Sequence, residues 1–112
     1  MPSDPKRPAR IRDPKLLSEL HHEWRECCIC GATDHLSLHH IVRHPRDDVK
    51  PNLVMLCGDG VRGCHGLIEA HHGPTERALL RHLLNSRPDT IYHLKEQMGL
   101  SGAAHWIDQK MS

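Results

Sequence analysis

The stretch Asn52-Leu53-Val54-Met55-Leu56-Cys57, then Gly58-Asp59-Gly60-Val61-Arg62-Gly63, then Cys64-His65-Gly66-Leu67-Ile68-Glu69, decides how this chain folds. An apolar run stopped by glycines predicts a short strand over Asn52–Cys57. Gly58, Gly60 and Gly63 turn the chain sharply, and a short helix is expected from Cys64 or His65 to His72. Cys57 and Cys64 bracket the turn as C-x6-C. Upstream, Cys27-Cys28-Ile29-Cys30 supplies a C-x2-C pair through Cys27 and Cys30, with Gly31 behind it. Two such loops close a tetrahedral zinc site, although x6 is wider than the usual spacing of such pairs. The alternative is a set of buried thiols acting as small apolar residues, and Cys28 reads as packing in either case.

Working outward, Leu36 and Leu38, extended by Ile41 and Val42, read as a first strand. The polar segment His44-Pro45-Arg46-Asp47-Asp48-Val49-Lys50-Pro51 is a loop between the strands. Asp13-Pro14 opens a helix over about residues 14–25, with Asp13 as N-cap and Leu16, Leu17, Leu20 and Trp24 as its apolar face. After Gly73-Pro74 a helix is expected over about residues 75–86, its apolar face Ala78, Leu79, Leu80, Leu83 and Leu84. Arg87-Pro88 breaks it, Asp89 caps a third helix that Gly99 stops, and Ala103 to Met111 adds a last one. The organisation is therefore a mobile basic arm over residues 1–12 and a single domain over 13–112, with a motif core at 27–72 and a helical tail at 74–111. The fold class is α+β.

The composition suits a stapled domain. Of 112 residues, 38% are hydrophobic, and the aromatics are only Trp24, Trp106 and Tyr92. So thin a core needs a metal or disulfide staple. Five cysteines, an odd number, in a chain that opens MPSDPKRPAR without a signal-like apolar stretch argue against a disulfide framework. No apolar run approaches the ~18 residues of a membrane span, so no membrane is expected and a cytoplasmic location is. The net charge of +1 names no partner, but Lys6, Arg7, Arg10, Arg12 and Lys15 make the first fifteen residues basic against Asp4 and Asp13.

Twelve histidines interleaved with cysteines point to metal. His39-His40 ends the first strand, and His65 follows the last cysteine with Glu69 four residues on, on the same helical face. Neighbours on a regular strand face opposite sides, so His39 and His40 share one site only if the strand ends or twists there. His21, His22, His35, His82, His93 and His105 read as surface residues.

The series C-x2-C, Leu38-His39-His40-Ile41-Val42, Asn52-Leu53-Val54-Met55-Leu56-Cys57, Cys64-His65-Gly66-Leu67-Ile68-Glu69 closely resembles the HNH endonuclease family with its ββα-metal active site. The match runs from about Cys27 to His72, under half of the chain, and the segment LCGDGVRGCHG resembles small HNH proteins of bacteriophages and prophages. The resemblance implies a structural zinc on Cys27, Cys30, Cys57 and Cys64. It implies a catalytic divalent cation (Mg²⁺, Mn²⁺ or Ni²⁺) on His39 and His65, with His40 as general base and Asn52 bracing the loop that orients it. Glu69 stands where members often carry His or Asn, and is the remaining candidate ligand. Imidazole near its ordinary pKa accepts a proton at neutral pH, and an ion with few protein ligands leaves positions for phosphoryl oxygens.

The implied activity is hydrolysis of DNA phosphodiester bonds, by nicking or double-strand cleavage. Arg43, His44, Arg46 and Lys50 are the candidate phosphate contacts, the alternative being a solvated loop balanced by Asp47 and Asp48. No base-reading element is evident, so weak sequence preference is expected. The implied setting is a bacterial host cell, with DNA as partner and phage terminase or packaging proteins as further candidates. The rival reading is a catalytically silent zinc module that binds DNA or a packaging protein.

Overall fold

The computed structural model describes residues 10–112. Among them are α1 (Pro14–Glu23), β1 (Leu36–His40), a 3-10 turn (Lys50–Asn52), β2 (Leu53–Cys57), α2 (Gly63–Glu69), α3 (Gly73–Ser86) and α4 (Pro88–Met111). The class is α+β, four helices around one two-stranded antiparallel sheet.

Asp13 starts α1 as its sequence requires: its Oδ1 accepts from the Leu16 N–H at 3.0 Å and Pro14 takes the first helical position. Such a cap contributes about 1 kcal/mol. Only Leu20 of the expected apolar face is fully buried. Trp24, just past the helix, is flanked instead by cations, Arg87 at 5.1 Å and Lys50 at 5.8 Å from the ring centre.

Residues 10–12 differ from a mobile arm. The Ile11 N–H donates to Asp47 Oδ1 at 2.8 Å, Asp13 N–H to Asp48 Oδ2 at 2.9 Å, and Arg10 Nε to the Arg46 carbonyl at 2.7 Å. These residues are strapped to the loop between the strands. The rest of the expected arm lies outside the described residues.

In the sheet, Ser37 pairs with Leu56 and His39 with Val54, while Leu36, Leu38 and His40 pair with Cys57, Met55 and Leu53. Leu53, Val54, Met55 and Leu56 are all at most 2% exposed, which is what an unbroken apolar run predicts for a strand covered on both faces. Val54, Leu56, Ile68, Leu79, Leu83, Leu94 and Ala103 join Cys27, Ile41 and Val42 in one core. Each such large side chain contributes roughly 1.5–3 kcal/mol. α2 leans on β2, and α3 and α4 pack against each other.

Several element ends differ from expectation for local reasons. Ile41 and Val42 fall beyond β1, and Asn52 sits in the 3-10 turn rather than opening β2. α2 stops at Glu69 because His71 takes a left-handed φ of 57°, letting the N–H groups of His71 and His72 close onto the carbonyls of Ile68 and Leu67. Gly73 and Pro74 belong to the first turn of α3 instead of separating it. Asp89 does not cap α4. The helix begins at Pro88, and Asp89 receives the Arg87 guanidinium in a two-pronged contact at 3.0 Å. Gly99 does interrupt α4, with φ 77° and ψ 171°. Leu84 is exposed, and His93, expected at the surface, is buried at 8%.

Candidate metal centres

Cys27, Cys30, Cys57 and Cys64 bring four sulfurs within 4.8 Å of one another. Ligands ~2.3 Å from a tetrahedral zinc stand about 3.8 Å apart, and Cys30 Sγ lies 3.6 Å from Cys57 Sγ. The turn holding each pair is shaped by backbone N–H groups aimed at sulfur: Ile29 and Cys30 toward Cys27 at 3.4 and 3.5 Å, and Cys64 toward Cys57 at 3.4 Å. Burial opposes ionisation of Cys27, yet these donors bring its thiol down to about 7. Burial and the neighbouring sulfurs push Cys64 up, so a cation is what makes four thiolates compatible here. The cluster can hold a metal ion such as zinc. Cys28 lies outside it, and burial raises its thiol to about 12.

The glycines in the C-x6-C turn are not equivalent. A Cβ on Gly58 would lie 2.0 Å from the Arg62 carbonyl oxygen, and one on Gly63 2.6 Å from that of Cys57. Both positions also have left-handed φ, at 86° and 69°. Gly60 faces open space. Asp59 completes the turn, its Oδ1 accepting from the N–H groups of Val61 and Arg62 at 2.8 and 2.9 Å.

A second cluster lies on the α2 side of the hairpin. His39 from β1 and His65 and Glu69 from α2 bring one donor atom each within 4.8 Å. Glu69 Oε2 is 3.4 Å from His39 Nδ1 and 3.5 Å from His65 Nε2. Ligands ~2.1 Å from an ion stand about 3.0 Å apart in octahedral and about 3.4 Å apart in tetrahedral directions, so these two separations are close to what an ion would set. The two rings meet edge to face with centres 5.2 Å apart. Burial, then the His65 charge, lowers His39 to about 4, and burial lowers His65 too. Both imidazoles are therefore neutral at neutral pH, as ligands must be. Glu69 stays ionised, because the Arg43 guanidinium on its two oxygens outweighs its burial. A cavity of about 110 Å³ opens beside His39 and Glu69, walled by Ile68, Leu79, Leu80 and Trp106.

His40 does not join this cluster. It faces the other side of β1, 7% exposed, with Nε2 2.8 Å from Asp48 Oδ1 and Nδ1 3.3 Å from Arg46 Nε. Burial opposes ionisation of Asp48, but the Asp13 N–H and His40 together hold its carboxyl low. An ionised carboxylate only accepts, so Nε2 carries the proton and Nδ1 the lone pair. Asn52, fully buried, spans the loop: its Nδ2 donates to the carbonyls of Val42 and Asp47 at 3.0 Å, and its Oδ1 accepts from the Val42 N–H at 2.7 Å.

The four basic loop residues do not form one patch. Arg43 holds Glu69 beside the candidate site, whereas Arg46 touches His40 on the other side of β1. Lys50 pairs with Glu23 at 2.9 Å, and His44 is exposed. Sequence reasoning gave Asp48 only as a charge balancing the basic loop, and did not single out Ser37. Ser37 carried a readable signal, since two residues before His39 on a strand means the same face. Asp48 carried none, because its partner is set by how the loop folds back. Comparison with protein-family models, curated proteins and solved structures returns no match.

Proposed function

We propose that this protein is a metal-dependent endonuclease of the HNH kind, hydrolysing DNA phosphodiester bonds with weak sequence preference. The observation that carries the reading is the convergence of His39, His65 and Glu69, from one strand and one helix, beside a four-cysteine cluster that joins α2 to β2, the strand paired with β1. A divalent cation bound there supplies charge stabilisation on a phosphoryl oxygen and on the leaving group. His39 and His65 offer neutral nitrogen, Glu69 offers charge, and three protein donors leave positions for substrate oxygens.

The remaining roles fall to residues around that point. Asp48 fixes the tautomer of His40 and leaves the lone pair on Nδ1, the atom to take a proton from water. Because the ring faces away from His39, this role requires the end of β1 to twist toward the bound phosphate. Nδ1 faces Arg46, and a phosphate drawing Arg46 away frees it. Asn52 holds the loop carrying Asp48 against the end of β1. Arg43 pairs with Glu69 beside the ion position and is placed to meet a phosphate. The same reading brings a phage or prophage origin, the host cytoplasm, and packaging proteins as partners.

The second reading, a silent zinc module that binds DNA or a packaging protein, draws on one observation: both ring nitrogens of His40 are engaged and the ring is buried. Plasmid nicking with Mg²⁺, Mn²⁺ or Ni²⁺, against an EDTA control, separates the two. Cation-dependent nicking lost in His39→Ala and His65→Ala supports the nuclease. DNA retention without cleavage under every cation supports the module.

A further inference from the structure

Ser37 lies on β1 and bonds both to the turn that joins Cys57 to Cys64 and to a histidine of the second cluster. Its Oγ is 2.7 Å from the carbonyl oxygen of Gly58, in the turn between Cys57 and Cys64, and 2.6 Å from His65 Nδ1. A hydroxyl has one hydrogen, and a carbonyl oxygen can only accept. The Ser37 hydrogen therefore goes to Gly58. The alternative would set two oxygen lone pairs against each other at 2.7 Å. Toward His65, Oγ must then accept, so Nδ1 carries the proton and Nε2 keeps its lone pair. Nε2 is the nitrogen that faces Glu69 and the ion position.

The competing tautomer has Nε2–H donating to Glu69 and occupies the lone pair that a metal needs. Its contact is 3.5 Å long, beyond the range of a normal N–H···O bond, whereas the Ser37 contact is short and direct. We infer that Ser37 is a positioning residue that sets the metal-binding tautomer of His65 and links the divalent-ion site to the turn of the cysteine cluster. Hydrogen bonds to the far nitrogen of a ligating histidine fix its orientation and raise its basicity, and losing one lowers metal affinity ~10–100-fold. The linkage runs from the Cys57–Cys64 turn through the Gly58 carbonyl and the Ser37 hydroxyl to His65. Whatever loosens the turn therefore loosens the second ion.

The inference rests on the divalent-ion site proposed above, and the experiment keeps the two apart. The zinc-loaded full chain is titrated with Mn²⁺ by calorimetry, and the tautomer of His65 is read by nitrogen NMR before Mn²⁺ is added. The expected result is a proton on Nδ1 of His65 in the wild type, and Mn²⁺ binding ~10–100-fold weaker in Ser37→Ala with zinc content and circular dichroism unchanged. Ser37→Thr, which keeps the hydroxyl and suits a strand, should restore both tautomer and affinity. A proton on Nε2 in the wild type, or Ser37→Ala binding Mn²⁺ as tightly as the wild type, overturns the inference and leaves the site reading standing. A wild type that takes up no second ion overturns the site reading, and the affinity half of the inference with it. Should Ser37→Ala lose zinc and fold, the wild-type tautomer and the Ser37→Thr affinity still decide.

Discussion

His39 and His40 are consecutive on β1 and look away from each other: His39 sets Nδ1 3.4 Å from Glu69, while His40 turns to the opposite side and holds Asp48 at 2.8 Å. Two imidazoles one peptide apart thus occupy different chemical settings, one among metal donors and one in a buried pair with a carboxylate. The pleat of the strand makes this separation, and it assigns them different consequences on substitution.

Removing the His40 imidazole should stop hydrolysis without weakening the ion site. A positioned base contributes typically ~10²–10⁴-fold, enough to make nicking invisible on a gel. His40→Asn is the cleaner variant, because its amide can still donate to Asp48. His40→Ala leaves that carboxylate buried beside a void, at a cost of roughly 1–3 kcal/mol. Nicking rate and Mn²⁺ calorimetry, run together, check this. Wild-type cleavage by His40→Asn would move the base elsewhere, with His44 and His71 next.

Folding should depend on metal at the four cysteines. The core has no Phe, and structural zinc in small domains contributes on the order of 10 kcal/mol, comparable to the stability of a whole domain. Metal analysis of untagged protein should find one tightly held zinc. Cys27→Ser and Cys64→Ser should lose it, and their helical circular dichroism with it. A well-folded, zinc-free double variant would contradict this.

Within the turn, glycine substitutions should split sharply. Gly63→Ala drives a Cβ to 2.6 Å from the Cys57 carbonyl oxygen at a left-handed φ, whereas Gly60→Ala meets nothing. The first should lower Tm and zinc retention, by several kcal/mol if the turn cannot shift. The second should be within about 0.5 kcal/mol of wild type. Thermal melts with zinc release followed by a chromogenic chelator measure both.

Acid should destabilise the chain partly through His39. Its folded pKa, held at about 4 by burial and by His65, lies below the ~6.5 of an unfolded histidine. As pH falls from about 6.5 toward 4, the unfolded chain takes up a proton that the folded chain refuses, so stability is lost across that window and is flat above it. Between pH 7 and 5.5 the loss is about 1 kcal/mol. Denaturant melts of wild type and His39→Asn at both pH values should show a smaller drop for the variant. Equal drops would mean that His39 titrates normally in the folded chain.

Much of this architecture can be read from local chemistry. Asp13-Pro14, the apolar run Leu53 to Leu56, the two cysteine pairs and the Gly99 break each act through near neighbours, and each appears in the fold where the chain indicates. What was not legible depends on distant partners. Asp48 meets His40 only because Asn52 and the strap from Ile11 to Asp13 fold the loop back. His93 is buried by packing of the helical tail, which no local pattern around it specifies. Trp106 reaches the wall of the cavity beside Glu69 from the far end of the chain.

Glu69 should decide which cation the site prefers. Its carboxylate lies within 3.5 Å of a nitrogen on each of the two histidines, and Arg43 grips both of its oxygens. The spacing from His65 is one helical turn, so the reach is built into α2 rather than into a loop. A hard, charged oxygen favours Mg²⁺ and Mn²⁺, whereas a site of imidazoles alone leans toward Ni²⁺ or Zn²⁺. The wild type should therefore cleave DNA with Mg²⁺ or Mn²⁺. Glu69→His should shift preference toward Ni²⁺ or Zn²⁺, and release Arg43 as well. Cleavage measured against cation identity for both proteins tests this. Identical profiles would mean that Glu69 does not touch the ion and serves only to hold Arg43.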